Sequence, residues 1–454
     1  MDLRQLIEKY KGAGPRYTSY PTAPQWTESV SAEAYQDHLQ RRAPDSSEPL
    51  AMYVHVPFCE ALCYYCGCNI QITKDGNRAR PYVEALRKEI ATSAKLLGSR
   101  RALSQISWGG GTPTFLTEAL IGHLYSGITE HFDLAESCEV SIEIDPRVTT
   151  PSQLSLLRSL GFNRVSFGLQ DFRAEVQQVV NRVQPYDMTK TMVDYCRDLG
   201  FKGINIDLIY GLPLQTLDTF NETVEQILTI RPDRISLYNY AHLPSLRPHQ
   251  KILEKFEMPS PEVRTEIFLS AFDKFTAGPY RPIGMDHFAV EEDELFLALP
   301  RGALYRNFMG YTVARGVGML GIGASAIGEI GGGFFQNVRE TKPYEDRVEA
   351  TGLSTFRGCL LSDDDLQRQW VIQSIMCRFE LDYAAFEKAF GVNFASKFSS
   401  ELSRLPSFAD DGVLELSDLG FRVTPLGRVF VRNVAMLFDA YLRQPKGATY
   451  SQTV

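Results

Sequence analysis

The stretch AMYVHVPFCEALCYYCGC, residues 51–68, decides the fold class. It places a short apolar run, typical of a β-strand, directly before four cysteines: Cys59, Cys63, Cys66 and Cys68. These are half of the eight cysteines in the chain. A strand that leads into a loop of reactive side chains is typical of sheets whose functional sites lie at the strands' carboxyl ends.

Similar strand-like runs recur through the middle of the chain, separated by helical stretches. The runs are QISWGG (105–110), EVSIEID (139–145), RVSFGLQ (164–170), GINIDLIYG (203–211) and RISLYNY (234–240). Two of the helical stretches, 80–98 and 188–200, end at glycine, a common helix stop. Repeated strand–helix units predict an α/β fold with a parallel sheet, arranged as a barrel or as an open arc.

Polar or glycine residues mark the end of each predicted strand. In strand order they are Cys59; Gly110, Gly111 and Thr112; Glu143; Gln170; Asp207; and Tyr240 with Ala241. Because the carboxyl ends of parallel strands share one edge of the sheet, we expect these residues to form a single site.

The first three cysteines have the spacing C-x3-C-x2-C, and Cys68 follows two residues later. Thiolates at such spacing bind zinc, copper(I) or an iron–sulfur cluster. A structural zinc site normally has four ligands, whereas the later cysteines of this chain stand alone. Three thiolates leave one iron of a 4Fe-4S cluster free for a small molecule. We favour such a cluster on Cys59, Cys63 and Cys66; a zinc loop of all four cysteines and buried cysteines without a ligand are the alternatives.

The regions on either side of the strand pattern have a different character. Residues 1–45 include the Gly-, Pro- and Tyr-rich GAGPRYTSYPTAPQW and predict an N-terminal arm, followed by a break at RRAPDSSEPL (41–50). Residues 46–340 form the predicted α/β domain. Residues 341–454 predict a mostly helical C-terminal domain, with a short hairpin within 411–427.

Composition and charge exclude several classes of function. The net charge is −8, and the pI is near 5.6, which argue against general nucleic-acid binding and against a basic membrane-docking face. The first residues lack the apolar run of a signal peptide, and no stretch approaches the roughly 18 apolar residues of a membrane span. We therefore expect a cytoplasmic protein with no membrane or nucleic-acid partner.

The cysteine loop after the first strand resembles that of radical S-adenosylmethionine (SAM) enzymes. Further blocks resemble the oxygen-independent coproporphyrinogen III oxidase family: GPRYTSYPTA (14–23), YVHVPFC (53–59), CYYCGCN (63–69), WGGGTPT (108–114), EIDPR (143–147), SFGLQDF (166–172), DLIYGLP (207–213), GMDHFA (284–289) and YRNFMGYT (305–312). The resemblance covers nearly the whole chain. It implies a partial (β/α)6 TIM-like barrel of the radical SAM type, an arm over the active site and a mostly helical C-terminal domain.

The resemblance also implies an activity. A 4Fe-4S cluster and two SAM molecules per active site would supply 5′-deoxyadenosyl radicals. These would drive the oxidative decarboxylation of two propionates of coproporphyrinogen III to vinyl groups, giving protoporphyrinogen IX. The implied partners are the substrate, an electron donor such as flavodoxin or ferredoxin, and an electron acceptor that the sequence does not identify. The expected state is a monomer.

By the same resemblance, the first SAM contacts Tyr53, Gly110, Glu143, Ala241 and Ile327. Tyr53 and Glu143 are also the predicted catalytic residues. Without the resemblance, Glu143 could equally be a solvated carboxylate at the rim.

The second SAM is expected to contact Tyr65, Gly111, Thr112, Gln170, Arg182 and Asp207. The family usually has phenylalanine where this chain has Tyr65, whose added hydroxyl needs a polar neighbour. Without the resemblance, Arg182 would be interpreted as a surface helix residue and Asp207 as a hydrogen-bonding group at a strand end.

Arginines suit the four propionates of the expected substrate, because a guanidinium binds a carboxylate through two parallel hydrogen bonds. Arg16 in the arm and Arg306 are the substrate-binding candidates. A structural ion pair is the alternative for each of them.

Three other functions stay open from the sequence. A haem chaperone of the same family keeps the cysteine loop but typically lacks the tyrosine-rich arm and the cysteine equivalent to Cys68; both are present here. A radical SAM enzyme acting on another porphyrin or on haem is the second alternative. A zinc-stabilised structural module is the most distant one.

Overall fold

The computed structural model describes residues 3–42, 48–99, 101–313, 318–443, 450 and 453. The chain forms two compact units, each built from separate segments. The barrel unit contains residues 27–271 and 316–360, and the helical unit contains 1–26, 272–315 and 361–454. The predicted break at 41–50 falls largely on 43–47, which lie outside the described residues. The predicted three-domain division stays a prediction.

Six parallel strands form the centre of the barrel unit and are ordered in the sheet as in the chain. They are β1 (Leu50–Val56), β2 (Ala102–Gly110), β3 (Asp133–Ile144), β4 (Arg164–Gln170), β5 (Gly203–Tyr210) and β6 (Arg234–Asn239). The register sets Tyr53 of β1 beside Ser107 of β2, and Ser166 of β4 beside Asn205 of β5. The six predicted strands and their parallel arrangement are confirmed.

The sheet continues beyond β1 in a way that the sequence analysis did not predict. Strand β7 (Met319–Ile322) pairs in parallel with β1. The antiparallel strands β8 (Ile327–Ile330), β9 (Gly333–Asn337) and β10 (Thr355–Leu360) follow it. Three of these four strands contain only four or five residues and are interrupted by glycines, so no alternating pattern long enough to indicate a strand develops.

Helices connect the six central strands. They are α1 (Ala79–Leu97), α2 (Glu118–Thr129), α3 (Pro151–Ser159), α4 (Ala174–Val179), α5 (Tyr186–Asp198) and α6 (Leu217–Ile230), with Ala32–Arg42 and Thr341–Thr351 outside this series. Thr150 and Thr216 begin α3 and α6 with capping boxes, and α1 ends before Gly98, whose φ is +65°. The helix predicted over 80–98 is therefore confirmed as α1. None of the helices in the described part of the chain is long and apolar enough to span a membrane.

The core of the barrel unit lies between the sheet and these helices. Trp108 of β2 is fully buried, and its ring packs edge-on against Phe162 with the centroids 5.1 Å apart. Helix α1 buries Tyr82 and Leu86 on its inner face. Burying large aromatic and aliphatic side chains contributes roughly 1.5–3 kcal/mol each, which keeps the strand ends fixed relative to one another.

The helical unit combines short helices with short antiparallel strands. Its helices are Leu3–Tyr10, Glu294–Ala298, Asp363–Gln373, Tyr383–Phe390, Phe394–Lys397, Ser399–Leu402, Leu405–Asp410 and Val431–Met436; the helix Pro261–Ala277 spans the segment limit at residue 272. Its strands are Tyr280–Gly284 with His287–Val290, Tyr305–Asn307 with Gly310–Thr312, and Glu380–Asp382 beside Leu414–Ser417 and Gly420–Val423. The hairpin predicted within 411–427 is confirmed.

The first segment of the chain packs against the last one inside the helical unit. The Tyr17 hydroxyl donates to Asp439 Oδ2 at 3.0 Å, and both residues are buried. Arg432 Nε donates to the Pro15 carbonyl at 3.0 Å. The Gly-, Pro- and Tyr-rich stretch is thus held by hydrogen bonds to residues more than 400 positions away.

Candidate active site

A cavity of about 520 Å³ lies at the carboxyl ends of the six central strands. Its wall includes the cysteine loop after β1, Gly110–Thr112 after β2, Glu143 and Asp145 from the end of β3, Gln170 from β4, Asp207 from β5 and Tyr238 from β6. Every central strand therefore contributes to the same cavity, although the contribution of β6 is Tyr238 and not the predicted Tyr240 or Ala241.

The cysteine loop begins where two short strands, Phe58–Cys59 and Gln71–Ile72, pair in parallel. Cys59 Sγ lies 3.5 Å from Thr112 Oγ1, and the Cys66 amide donates to the Cys63 carbonyl at 3.0 Å. Cys63 is buried, whereas Cys68 is exposed. All four thiols are free and lie in the wall of the cavity.

The thiols differ in their electrostatic surroundings. The pKa of Cys66 is lowered to about 7, mainly because the Cys68 thiol hydrogen-bonds to it. Burial raises the pKa of Cys59 to about 11. Cys63 Sγ accepts hydrogen bonds from two guanidinium groups, Arg147 Nη2 at 3.5 Å and Arg182 Nη1 at 3.8 Å.

Three thiols on one short loop, all facing one cavity, have the donor chemistry that an iron–sulfur cluster needs. Among the described residues, no three His, Cys, Asp or Glu side chains are already close enough together to chelate a metal ion. The ligand set of Cys59, Cys63 and Cys66 therefore stays a prediction.

The glycines at the end of β2 allow two backbone segments to approach each other closely. A Cβ atom on Gly111 would lie 2.7 Å from the Pro57 carbonyl oxygen. Gly110 has a φ of +111°, and a Cβ there would lie within 2.5 Å of the His55 ring. The Gly111 amide donates to the Val56 carbonyl at 2.8 Å, which fixes the glycine turn against the start of the cysteine loop.

Glu143 lies across the glycine turn. Its Oε2 accepts a hydrogen bond from the Gly110 amide at 3.1 Å. The side chain is accessible from the cavity, but protein surrounds its other sides, so burial together with the charge of Asp207 raises its pKa to about 7. Glu143 can therefore change its protonation state near neutral pH.

Tyr53 and His55 form a hydrogen-bonded pair on β1. The Tyr53 hydroxyl lies 3.1 Å from His55 Nδ1, and His55 Nε2 lies 2.9 Å from the Asn69 carbonyl beside Cys68. Burial lowers the pKa of His55 to about 4, so its imidazole is neutral at pH 7. His55 is a buried, hydrogen-bonded residue next to the cysteine loop.

Three of the residues predicted for the first SAM do not line the cavity within the described part of the chain: Tyr53, Ala241 and Ile327. Tyr53 lies within β1, and Ile327 begins β8. The Ala241 carbonyl accepts a hydrogen bond from Gln250 Nε2 at 3.2 Å. The roles of these three residues stay predictions.

Arg182 and Asp145 form a buried ion pair in the cavity wall. Arg182 Nη1 lies 3.1 Å from Asp145 Oδ2, and Arg182 Nε donates to the Gly168 carbonyl at 3.0 Å. Burial opposes ionisation of Asp145, but Arg182 and Arg147 outweigh it and hold the pKa of this carboxyl below its ordinary value. The surface-helix alternative for Arg182 is wrong, because its side chain is buried.

Gln170 and Asp207 occupy the part of the wall formed by β4 and β5. Asp207 accepts hydrogen bonds from Asn205 Nδ2 at 2.9 Å and from the Ser166 hydroxyl at 3.2 Å. Gln170 is buried, and its Oε1 has no hydrogen-bond partner among the described residues. Buried polar atoms usually have a hydrogen-bond partner. A ligand in the cavity can supply the donor for Gln170 Oε1.

Tyr65 lines the same part of the cavity. Its ring also packs beside the apolar cluster of Val176, Val180 and Tyr240. Burial raises the pKa of Tyr65 well above its ordinary value, and the nearby Arg182 acts against this shift. The hydroxyl that distinguishes Tyr65 from phenylalanine therefore has a charged neighbour.

The wall residues that were absent from the predicted site include a charged pair, Asp145 and Arg147. Arg147 donates to Asp145 with Nε at 3.0 Å and with Nη2 at 2.6 Å. Both belong to the block EIDPR, directly after Glu143. Two further charged residues past a strand end were the signal that could have identified them.

The two candidate substrate arginines lie together in the helical unit. Arg16 forms an ion pair with Asp286 at 2.5 Å, and Arg306 Nε donates to the Arg16 carbonyl at 3.2 Å. The Arg306 guanidinium stacks on Tyr311, 4.7 Å from the ring centroid. Arg306 is buried, and its Nη1 has no hydrogen-bond partner among the described residues. Arg16 thus forms a structural ion pair, which was the alternative to its role in substrate binding. Arg306 has a buried Nη1 without a described partner, which can donate to a ligand.

Family models match two regions of the chain. The radical SAM superfamily model matches residues 53–227, which contain the cysteine loop and strands β2 to β5. The HemN C-terminal domain model matches residues 361–430 in the helical unit. The matched regions therefore include parts of both units.

Similar proteins cover nearly the full length of the chain. The oxygen-independent coproporphyrinogen III oxidase of Escherichia coli K12 is 44% identical over 439 residues, covering 97% of this chain and 95% of the relative. The enzyme of the same name from Pseudomonas aeruginosa is 42% identical over 451 residues, covering 99% and 98%. The solved structure of coproporphyrinogen III oxidase (HemN) from Escherichia coli, described as a radical SAM enzyme, superposes with a TM-score of 0.92 at 41% identity, covering 96% and 98%.

Proposed function

Because this chain belongs to the family of oxygen-independent coproporphyrinogen III oxidases, we propose that it decarboxylates two propionates of coproporphyrinogen III to vinyl groups, giving protoporphyrinogen IX. The observation that carries this function is 44% identity to the Escherichia coli enzyme over 97% of the chain. The cavity at the strand ends, with its cysteine loop, is where the chemistry would start. The protein is a radical SAM oxidoreductase of porphyrin biosynthesis.

Cys59, Cys63 and Cys66 would hold the 4Fe-4S cluster of the radical SAM superfamily. When bound, the reduced cluster supplies the electron that cleaves SAM, and the resulting radical abstracts hydrogen from a propionate. The chain's own contribution is to position the ligands: the Gly110 and Gly111 turn packs closely against Pro57 and His55, which holds its backbone in the cavity wall beside the cysteine loop. Glu143 would accept a hydrogen bond from the cationic first SAM, with Tyr53, Ala241 and Ile327 completing its site.

We propose a second SAM in the part of the cavity beyond Glu143. Its supporting observation is the unpartnered Gln170 Oε1 in a wall that also contains Tyr65, Arg182 and Asp207. Asp207 offers a carboxylate to a cationic ligand, and Arg182 offers a guanidinium to a carboxylate. Thr112 and Gly111 line the same cavity, and Thr112 Oγ1 lies 3.5 Å from Cys59 Sγ.

Arg306, with Arg16 beside it, is proposed to bind a substrate propionate. The support is the buried Nη1 of Arg306 that has no described partner. Changing Arg306 to Lys keeps the charge but loses the forked geometry, so we propose a raised KM for coproporphyrinogen III with an unchanged cluster content. Arg301→Lys, on an exposed residue of the same unit, serves as the matched control.

The compartment, the oligomeric state and the electron partners of the protein are also proposals. We place it in the cytoplasm as a monomer, with flavodoxin or ferredoxin as electron donor and an acceptor of unknown identity. The predicted cluster ligands support a reducing compartment, because thiols that hold a cluster must stay out of disulfides, which form in oxidising compartments.

One experiment separates this function from its alternatives. Anaerobically reconstituted protein is expected to hold about four irons per chain. Mixed with SAM, a reductant and coproporphyrinogen III, it should release carbon dioxide and form protoporphyrinogen. Stable zinc without iron would contradict the cluster. SAM cleavage without decarboxylation would favour another porphyrin or haem as substrate, and haem binding without either reaction would favour a chaperone.

A further inference from the structure

Arg147 carries a contact that the functions proposed above do not use. Its Nη2 lies 3.5 Å from Cys63 Sγ, and the nearby Arg182 Nη1 lies 3.8 Å from the same sulfur. Cys63 is the buried member of the three predicted ligands, whereas Cys59 and Cys66 are partly exposed. Two positively charged donors therefore contact the sulfur of Cys63, the least solvent-exposed of the three predicted ligands.

The orientation of Arg147 is fixed by Asp145. The carboxylate binds the guanidinium through two atoms, Nε at 3.0 Å and Nη2 at 2.6 Å, and it also accepts from the Arg147 amide at 3.0 Å. The same Asp145 pairs with Arg182 at 3.1 Å. One carboxylate therefore holds both arginines and leaves the pair with a net positive charge beside Cys63.

The cysteine loop is held in the matching position by residues 180–182. The Tyr64 amide donates to the Val180 carbonyl at 3.0 Å, and Asn181 Nδ2 donates to the Leu62 carbonyl at 2.8 Å. Arg147 Nη1 donates to the Asn181 carbonyl at 3.3 Å. The residues on both sides of Cys63 are thus hydrogen-bonded to the segment that carries Arg182. These hydrogen bonds hold the cysteine loop where the two arginines contact the sulfur.

We propose that Arg147 is a positioning residue that, together with Arg182, raises the reduction potential of the cluster through N–H···S hydrogen bonds to Cys63. Hydrogen bonds to cysteine sulfur and a positive charge nearby both stabilise the reduced, more negative cluster. The arginines thus favour uptake of the one electron that the donor supplies. This inference rests on the proposed cluster and adds a residue that controls how readily the cluster is reduced.

The test is an EPR-monitored redox titration of the reconstituted full chain with dithionite as reductant. Arg147→Met removes the donor and the charge, and Arg147→Lys keeps a charge and one shorter donor. Arg247→Met is the matched control, because Arg247 also contacts the cysteine loop but donates to the Gly67 carbonyl, at 2.9 Å from Nε and 2.6 Å from Nη2. Iron content and SAM binding are measured on every variant.

We expect Arg147→Met to keep its iron and to lower the equilibrium constant for reduction about tenfold, which for one electron is about 59 mV more negative. Arg147→Lys should shift less, and Arg247→Met, which removes a charge near Cys66 but no hydrogen bond to sulfur, should also shift less than Arg147→Met. An unshifted Arg147→Met, or an equal shift in Arg247→Met, would overturn the proposal. If Arg147→Met loses iron, the result for Arg147→Lys decides between the outcomes. A shifted reduction potential in Arg147→Lys supports the proposal. Loss of iron from Arg147→Lys, or a wild-type potential in it, overturns the proposal. A wild-type chain without iron would instead contradict the proposed function.

Discussion

Cys63 and Cys68 lie five positions apart in one loop, yet their surroundings differ. Cys63 is buried and receives two arginine donors, whereas Cys68 is exposed, and its amide donates to Cys66 Sγ at 3.4 Å. We therefore predict that Cys63→Ala abolishes cluster binding and that Cys68→Ala retains about the wild-type iron content. Iron and acid-labile sulfide assays after anaerobic reconstitution check this. Equal iron loss in both variants would contradict a three-cysteine ligand set.

Glu143 gives the site a pH dependence near neutrality. The pKa of Glu143 is raised from 4.5 to about 7. Between pH 4.5 and pH 7 the folded protein therefore binds more protons than the unfolded chain. The contribution of Glu143 to the free energy of unfolding falls as pH rises through this range. A cationic ligand favours the ionised carboxylate, so SAM affinity should rise with pH through 7. We predict about tenfold weaker SAM binding at pH 6 than at pH 8.

The control for this pH dependence is Glu143→Gln, which keeps an acceptor for the Gly110 amide but cannot ionise. Its SAM affinity, measured by calorimetry, should be weaker at pH 8 and nearly independent of pH. If the variant kept the wild-type profile, Glu143 would not be the titrating group.

At the scale of the element, the turn after β2 depends on glycine. Gly111 has no space for a Cβ, which would lie 2.7 Å from backbone atoms of Pro57 that cannot move independently. We predict that Gly111→Ala destabilises the protein by roughly 1–3 kcal/mol and weakens SAM binding, because the strand ends must separate. Gly122→Ala is the control: it lies in α2 with nothing within 4 Å of the added Cβ and should stabilise by about 0.5–1 kcal/mol. Chemical denaturation measures both.

The elements differ in how well the sequence predicts them. Strands β1 to β6 were predictable, because each contains a short apolar or alternating run of strand-forming residues near a polar residue or glycine at its end. Within the predicted helical C-terminal domain, the helix Asp363–Gln373 continues as a π-helix, Ser374–Arg378, and ends at Phe379, whose left-handed φ of +57° no local pattern signals. In the site, strand-end residues such as Glu143 and Gln170 were found by their position. Asp145 and Arg147 were missed, because the importance of Arg147 comes from its contact with Cys63, and that of Asp145 from its ion pairs with Arg147 and Arg182.

At the scale of the whole molecule, the helical unit depends on contacts between its first and last segments. Asp439 is buried, and burial raises its pKa, although hydrogen bonds from Tyr17 and from the Tyr441 amide act in the opposite direction. We predict that Tyr17→Phe lowers the free energy of unfolding of this unit by about 1.5–3 kcal/mol, because it removes a hydrogen bond to a charged group. Tyr186→Phe, on α5 of the barrel unit, should change stability much less.

Denaturant unfolding followed by far-UV circular dichroism compares the two variants, with hydrogen exchange reporting which amides lose protection. Loss of protection in Val431–Met436 only in the Tyr17 variant is the expected result. Equal stability of Tyr17→Phe and the wild type would show that the contact to Asp439 contributes nothing.

The division of the chain into units was the part of the architecture least accessible from the sequence. Composition changes suggested three consecutive domains, with limits near residues 45 and 340. That division stays a prediction; the compact units of the structure combine segments that are far apart in the chain. Local periodicity reports on neighbours within about a turn or a strand, so it cannot show that Pro15 and Arg432 are hydrogen-bonded partners.

The contact between Tyr17 and Asp439 also has a consequence for the protein's synthesis. The two residues are 422 positions apart, so at roughly 5–20 residues per second the ribosome needs about 20 to 85 seconds to produce the second after the first. During that time the tyrosine-rich stretch has been made, but its partners in the last segment, Arg432 and Asp439, are not yet both available. Nascent chains arrested before residue 430 should therefore expose this stretch to proteases and chaperones that no longer reach it in the finished molecule.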